Sequence, residues 1–519
     1  MKKRINLIFL IVCIILTIPA LVGIFHPGFF LSDDGNWMVI RFSAFYEALR
    51  NGQFPVRFLP RLNNGYGYPV ADFLYPLFMY LAVPIHILKF NFVDTIKIIL
   101  GLSIILSSVF TFFWLRKLFD NLSSLVGAVF YTFFPYHLYD VYKRGSVGEV
   151  LSLSVLPFVL WQLERKSLIW VSLGIAFLIL AHNTLAVMFL PLVFCYMALE
   201  IYANKKRREL MKFDIKVFVL GFGISSFFWL PALFDLQYTV FFKTQVSTWE
   251  SYFSAFGLSG LSVLFVMLAV FIFITIKKID IKKNSLTVLF YAVGLISIFL
   301  ATPASYFIWK FLPVSFIQFP FRFLSLAVPS VSFLAAAVVF VLPDRKKLVM
   351  AGIILVLTFF SAKPYLFPES YQFLPDTFYS TNQDSTTVKN EYMPKWVKQI
   401  PAVMARERVS VLTGHESIQN LSANGNKAAF SLYSPEKSLI QFNTIYFPGW
   451  AVKVNGKEVP VSYNNNNGLI RFLVNPGNSN VNIFFSETPL RMFSDLLSLL
   501  SLIILFALII KDSKLSFKK

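Results

Sequence analysis

Two adjacent carboxylates, Asp33 and Asp34, precede a glycine in the stretch Leu31-Ser-Asp-Asp-Gly-Asn-Trp37. Such a pair can take the proton from an attacking hydroxyl, or hold a divalent cation such as Mg or Mn through hard oxygen donors. The same residues also suit a helix N-terminus, since Ser32, Asp33 or Asp34 could cap a helix running from about Asn36 to Arg50. Arg41, Arg57 and Arg61 follow. Their planar guanidinium groups can bind a lipid monophosphate or diphosphate bidentately, although each alone also serves as an ordinary anchor to anionic headgroups.

A second constellation is Pro135-Tyr-His137-Leu-Tyr-Asp140-Val-Tyr-Lys143-Arg144-Gly-Ser-Val-Gly-Glu149. Spacings of three and four put His137, Asp140 and Arg144 on one helix face. Gly145 and Gly148 permit a turn into the next helix, which Glu149 begins. An ionisable residue near the membrane boundary is a functional candidate, while an Asp140–Arg144 or Arg144–Glu149 pair joining two helix ends accounts for the same residues. His182, in Ala181-His-Asn183, reads more simply as a hydrogen-bonded helix terminus than as a catalyst. In Gln318-Phe-Pro-Phe-Arg322 the arginine stands at the mouth of an apolar run, where it can snorkel to an interface or point inward at a phosphate.

The elements that must position these groups are membrane helices. Of 519 residues, 56% are hydrophobic and only 14% charged, and the mean hydropathy is +0.65, which excludes a single soluble globule. Apolar runs at about 5–25, 96–115, 122–139, 148–163, 167–183, 185–203, 215–233, 257–276, 285–301, 322–342, 347–362 and 491–510 predict about twelve transmembrane helices. The run 73–88, interrupted by Pro76 and Pro84, is expected to dip into the bilayer or lie in its plane.

The formal charge of +20 would suggest nucleic acid in a soluble chain. Here much of it sits in short clusters between apolar runs: Lys2-Lys3-Arg4, Arg116-Lys117, Arg165-Lys166, Lys205-Lys206-Arg207-Arg208, Lys277-Lys278 with Lys282-Lys283, Arg345-Lys346-Lys347, and Lys511, Lys514, Lys518 and Lys519. With the N-terminus inside and 73–88 not crossing, all of them fall on the cytoplasmic side. No nucleic-acid partner is implied. The N-terminal run shows no clear small-x-small cleavage site and is expected to stay as the first helix. Cys13 and Cys195 lie inside apolar runs and read as packing residues.

The chain divides into a core at 1–362 whose first external loop is 26–95, a polar segment at 363–490, and a last helix with a basic tail at 491–519. From about 408 the polar segment shows seven short β-branched and aromatic runs, 408–412, 428–432, 439–446, 451–454, 459–463, 469–474 and 481–485, with Val454-Asn-Gly-Lys457 as a tight hairpin. A small β-sandwich-like module outside the membrane is predicted, with Asn464–Asn467 as a solvated loop.

Several of these segments resemble those of large bacterial membrane proteins called 6-pyruvoyl-tetrahydropterin synthase-related, and of the YfhO-like family. They are Asp34-Gly35 through Gly65-Tyr-Gly-Tyr-Pro69, Arg144-Gly145 with Glu149, Gln318-Phe-Pro-Phe-Arg322, and Tyr446-Phe-Pro-Gly-Trp450 followed by Val454-Asn-Gly-Lys457. Nothing suggests pterin chemistry, because no His-rich zinc pattern is present. The resemblance spans nearly the whole chain and implies a mainly α, polytopic GT-C-like architecture in the bacterial cytoplasmic membrane, with both termini cytoplasmic.

Enzymes of that class move a sugar from a polyprenyl-phosphate carrier to an acceptor outside the membrane, here an envelope glycan, lipid or protein. The resemblance places the acidic catalytic residue on Asp34. Asp33 is its neighbour or substitute, and the pair leaves open which carboxylate acts. Arg144, Arg322 and Arg57 or Arg61 would face the departing phosphate, with His137, Asp140, Glu149, His182 and Gln318 in support. No nucleotide cofactor is expected, since no Walker-type loop or dinucleotide fingerprint occurs. The 60 phenylalanines would offer the lipid tail an aromatic surface. A lipid-linked saccharide flippase would instead need ionisable groups at mid-membrane, where the runs are almost wholly apolar. A scaffold that binds envelope glycan without catalysis is the third reading.

Overall fold

A computed structural model describes residues 2–244, 248–254, 257–277, 284–311, 317–414 and 417–516. Lys278, Lys282, Lys283, Lys518 and Lys519 of the basic clusters, and parts of the loops 234–256 and 302–321, lie outside them.

Each apolar run is helical, but not each is a straight span. Among the described residues seven helices are long and apolar enough to cross a membrane: Leu7–Phe25, Phe92–Leu115, Val147–Glu164, Asn183–Ala203, Pro320–Phe340, Asp344–Tyr365 and Pro489–Ile510. Two bent pairs raise the number to nine if each is one span: Arg207–Ile224 with Ser226–Tyr238, at 67°, and Ser285–Leu300 with Pro303–Phe311, at 86°. The other three of the twelve runs form shorter or broken apolar helices. Leu168–Ala181 and Gly260–Thr275 are shorter apolar helices. The run 122–139 breaks into Asn121–Thr132 and Pro135–Tyr139, because Pro135 forces Phe134 into an extended conformation with ψ 127°. A single π-helical turn, Asp140–Arg144, then continues from Tyr139.

Helix Leu77–Ile87 has 11 residues, a rise of about 16 Å. That is roughly half the hydrocarbon thickness, in line with a segment that does not cross. Small residues let the central helices approach closely. A Cβ on Gly127 would lie 2.9 Å from the Ser332 carbonyl oxygen, and Thr17 donates to Ser108 at 2.9 Å across a helix pair.

The first loop is tied to the polar segment by β1 (Phe29–Phe30) pairing antiparallel with β2 (Tyr371–Gln372). Eight strands then build the module: β3 (Val409–Thr413), β4 (Ile418–Ala423), β5 (Lys427–Ser434), β6 (Ser438–Ile445), β7 (Trp450–Val454), β8 (Lys457–Val459), β9 (Leu469–Val474) and β10 (Gly477–Phe485). They form antiparallel sheets of order β4-β5-β10-β7-β8 and β3-β6-β9. Asn455 and Gly456, at φ 50° and 80°, make the expected tight turn between β7 and β8. Strand β4 was not expected, since its Gln-Asn-Leu-Ser-Ala lies on an exposed sheet edge. The run 459–463 is reduced to the end of β8 and one bridge, Ser462 to Arg471. Residues 373–408 hold one short helix, Asp376–Thr381, and one bridge, Pro394 to Thr239, and they bond to the first loop at Arg61, Asn64 and Tyr68.

Candidate active site

Backbone hydrogen bonds stitch the two acidic residues of the first loop to the Lys143-Arg144-Gly145 turn. Asp33 N–H donates to the Lys143 carbonyl at 3.0 Å and Asp34 N–H to that of Arg144 at 2.7 Å. Only glycine suits position 145. Its φ is +64°, and a Cβ there would lie 2.5 Å from Ser32 Oγ and 2.8 Å from Gly35 Cα. Asp34 occupies the N-cap position of helix Gly35–Arg50, yet its side chain makes no capping bond. Its carboxylate instead faces Arg144, with Oδ2 3.7 Å from Nη2.

Behind that pair lies a buried ionic cluster centred on Glu149. Arg144 Nη1 reaches Glu149 Oε1 at 2.5 Å and Asp140 Oδ1 at 3.0 Å, while Arg322 donates to the same Glu149 oxygen through Nε at 3.0 Å and Nη2 at 2.8 Å. Tyr136 donates to the other oxygen at 3.0 Å. One carboxylate thus holds two guanidinium groups side by side. Gln318, in the left-handed region at φ 68°, turns the chain so that its Oε1 accepts from Arg322 Nη1 at 3.0 Å. The rings of Phe319 and Phe321 then cover Arg144 at 5.7 and 5.4 Å. His182 is indeed a helix terminus, accepting from Leu185 N–H at 3.3 Å, and it also places Nε2 3.7 Å from Glu149. His137 stands apart: its Nδ1 meets the Tyr131 carbonyl at 3.2 Å.

In front of the cluster opens a cavity of about 670 Å³. Asp33, Asp34, Arg41, Arg144, Gln318 and Arg322 line it, so six candidates from three stretches of the chain share one chamber. Its opposite wall comes from residues that no motif singled out: Thr386 to Lys389 and Glu391. Arg41 anchors this wall through Thr386, donating from Nε to the hydroxyl at 3.1 Å and from Nη2 to the carbonyl. Tyr68 of the Gly-Tyr-Gly-Tyr-Pro stretch shares a hydrogen bond with Thr387 Oγ1 at 2.8 Å and accepts from Tyr392 N–H at 3.0 Å. Burial and the neighbouring Asp34 charge raise Asp33 above the usual aspartate range, against the pull of Arg144. Burial also raises Glu391, with Arg41 opposing. A concave chamber that holds carboxylates of perturbed proton affinity beside fixed cations is suited to proton transfer next to a developing anion.

A family model described as the 6-pyruvoyl-tetrahydropterin synthase related domain, a membrane protein, matches residues 73–367. The chain belongs to this family. An uncharacterized protein of Lactococcus lactis subsp. cremoris (strain MG1363) is 23% identical over 348 residues, 59% of this chain and 55% of that relative. The chain therefore spans about half the length of the relative it matches. Among solved structures, the mycobacterial arabinofuranosyltransferase AftD is similar at TM-score 0.43 and 16% identity, covering 71% of this chain and 27% of AftD. The Archaeoglobus fulgidus oligosaccharyltransferase is similar at 0.43 and 14%, covering 75% and 60%. At that score the likeness transfers no residue and no activity.

The structure takes Arg57 and Arg61 of this family member elsewhere, and neither lines the cavity. Arg57 is buried against Asp495 at 2.9 Å, Glu487 at 3.3 Å and the Phe227 carbonyl at 2.6 Å. Arg61 binds Glu47 at 2.9 Å and the carbonyls of Ser380 and Asn382 at 2.5 and 3.1 Å. Because neither borders the chamber that Arg144 and Arg322 share, a role on the same phosphate has no geometric support. Near Arg57, Arg491 meets Asp235 at 2.8 Å, Asp72 at 3.3 Å and the Pro448 carbonyl at 2.8 Å. The Phe-Pro-Gly-Trp motif is therefore where the module is clamped to the last helix. Among the described residues no group of three or more His, Cys, Asp and Glu is arranged to hold a metal ion. Asp33 and Asp34 share the cavity with Arg41, Arg144 and Arg322, whose charge opposes a divalent cation.

Proposed function

We propose that this protein is a membrane glycosyltransferase that moves a sugar from a polyprenyl-phosphate carrier to an acceptor hydroxyl outside the bacterial cytoplasmic membrane. The observation that carries the reading is the cavity in which Asp34 stands 3.7 Å from Arg144, while Arg144 and Arg322 both donate to one oxygen of Glu149. In the reaction the acceptor oxygen attacks the anomeric carbon and gives its proton to the Asp34 carboxylate, with Asp33 as neighbour. The bond from that carbon to the carrier phosphate breaks, and its electron pair leaves on the phosphate oxygen. Arg144 and Arg322, both buried, face that developing charge as fixed cations, which act more strongly there than in open water. Arg41 adds positive charge from the opposite side. The acceptor is an envelope glycan, lipid or protein hydroxyl.

The sidedness follows from charge. Lys347 pairs with Asp120 and Lys166 with Glu200, so the basic helix ends near 116–120 and 344–347, and near 164–166 and 200–208, are joined in pairs. Those ends are assigned to the cytoplasm, with both termini, and the module to the outer face.

The test is mass spectrometry of envelope polymers and lipid-linked sugars in cells with and without the gene. Loss of one sugar, accumulation of its carrier, and the same pattern in Asp33→Asn with Asp34→Asn are expected. Normal glycosylation by that double variant, at wild-type protein level, overturns the proposal.

A further inference from the structure

Beside the charged cavity lies a second one of about 230 Å³. It forms where the span Arg207–Ile224 turns by 67° into Ser226–Tyr238. Ala186, Val187 and Leu190 make one wall, and Trp229, Ala232 and Leu233 the other. The amide of Asn183, which also lines it, is already committed to the Phe73 carbonyl at 2.8 Å. Val187 and Leu233 are 55% and 66% exposed. In a membrane helix such apolar exposure faces lipid, so the cavity is a groove open sideways to the bilayer.

The bend that creates the groove is built in. It interrupts the helical ladder at Ser225, and Ser498 of the last helix takes up the freed groups, donating to the Gly223 carbonyl at 3.1 Å and accepting from Phe227 N–H at 2.8 Å. Phe241 lines both the apolar groove and the charged cavity. Its ring stacks on Tyr392 at 5.7 Å, and Tyr392 in turn on Phe73 at 4.9 Å. A short aromatic wall thus separates a lipid-facing groove from the chamber of Arg144 and Arg322.

We infer that this groove holds the prenyl tail of the lipid carrier, which enters sideways from the bilayer and passes Phe241 to bring its phosphate to Arg144 and Arg322. The inference rests on the transferase reading for the donor's identity. The shape favours one chain: a diacyl phospholipid carries two tails from adjacent carbons and would have to place both, whereas this narrow groove meets the arginine chamber at one residue, Phe241. Bilayer tails are as apolar as the groove, so no hydrophobic gain drives entry. Fit against Trp229, Phe241 and Tyr392 must therefore supply the selectivity.

The full-length protein in detergent is titrated with radiolabelled undecaprenyl phosphate, with phosphatidic acid and inorganic phosphate as competitors. Ala186→Trp with Ala232→Trp fills the groove and is expected to weaken undecaprenyl phosphate binding at least about tenfold, while phosphatidic acid competes poorly with the wild type. Wild-type affinity in the filled variant, or equal competition by phosphatidic acid, overturns the assignment. A diazirine-bearing polyprenyl phosphate, photolysed on the unaltered protein, gives an answer independent of folding. Adducts on 183–190 or 226–241 support the groove, and adducts confined to other helices remove it. Prenyl phosphate bound here together with normal glycosylation by the Asp33→Asn and Asp34→Asn double variant would keep the groove and discard the transferase.

Discussion

Glu149 gathers two arginines at the edge of the chamber, and Arg322 is further fixed through Nη1 by the Ile317 carbonyl at 2.7 Å and Gln318 at 3.0 Å. Arg144 uses Nη1 for Asp140 and Glu149, while Nη2 lies toward Asp34 at 3.7 Å. The helix-joining role and the phosphate-facing role thus belong to one side chain. Removing the central charge should be costly, because two guanidinium groups would stay buried with their counter-ion gone. Glu149→Gln is expected to lower stability by about 3–5 kcal/mol, read as a drop in melting temperature in detergent, and a melt equal to wild type would refute that role. Asp33 behaves oppositely. Its raised proton affinity means that the folded chain holds this proton more tightly than the unfolded one. Its contribution to stability therefore falls as pH rises from the ordinary aspartate value through the raised one. Asp33→Asn should raise the melting temperature above that window and leave it unchanged below it. A rise of equal size at every pH would show that the effect is not titration. The acidic pair, Arg144 and Arg322 were legible from residue type and position. Glu391 and the Thr386–Lys389 wall were not, since they approach through space across more than three hundred residues. Arg57 and Arg61 show the converse failure: charge type says nothing of which carboxylate or carbonyl will take it.

Elements bring these residues together, and their close approach depends on turns without side chains. At Gly145, a methyl group meets both a left-handed backbone and the neighbouring loop, with Gly35 N and Cα at 2.8 Å. Gly145→Ala should cost about 1–3 kcal/mol and, by prying the Asp34 turn from Arg144, abolish transfer even where the protein still folds. Gly352, in helix Asp344–Ala362, has nothing within 4 Å of a built Cβ. There the same change should stabilise by about 0.5–1 kcal/mol. Thermal melts of the two variants, with envelope glycan profiles, check both signs, and equal effects would remove the steric argument. Helix existence was legible throughout because apolar runs need only length. The breaks were less so. Pro135 announces one, but the 67° bend at Ser225 depends on Ser498, which lies in a helix far along the chain. Strands β5 and β10 declared themselves by alternation, β5 with buried Ala428, Phe430 and Leu432. Strand β4 buries too little apolar surface to leave such a mark.

At the scale of the whole molecule, the module and the helical core form one unit. Arg491 and Arg57 share Asp72, at 3.3 and 3.6 Å, and so join the first loop, the bent span and the last helix under the Phe-Pro-Gly-Trp corner. The chamber wall from 386 to 391 belongs to the polar segment that carries the module, while Arg144 and Arg322 belong to the core, so the site exists only when both are docked. All of its polar groups therefore open on the module's side of the membrane, and the sidedness of the module decides which pool of acceptors the site can meet. The proposed topology has Lys206 and Arg345 inside, and Val388, 87% exposed, outside. Single cysteines report this directly. Cys13 is buried and Cys195 exposed, so Cys195→Ser gives a quiet background. In intact cells a membrane-impermeant maleimide should label Val388→Cys, and should reach Lys206→Cys and Arg345→Cys only after permeabilisation. The reverse pattern would mean that Leu77–Ile87 crosses after all, inverting every later segment and opening the arginine chamber to the cytoplasm, where an acceptor in the envelope could not reach it.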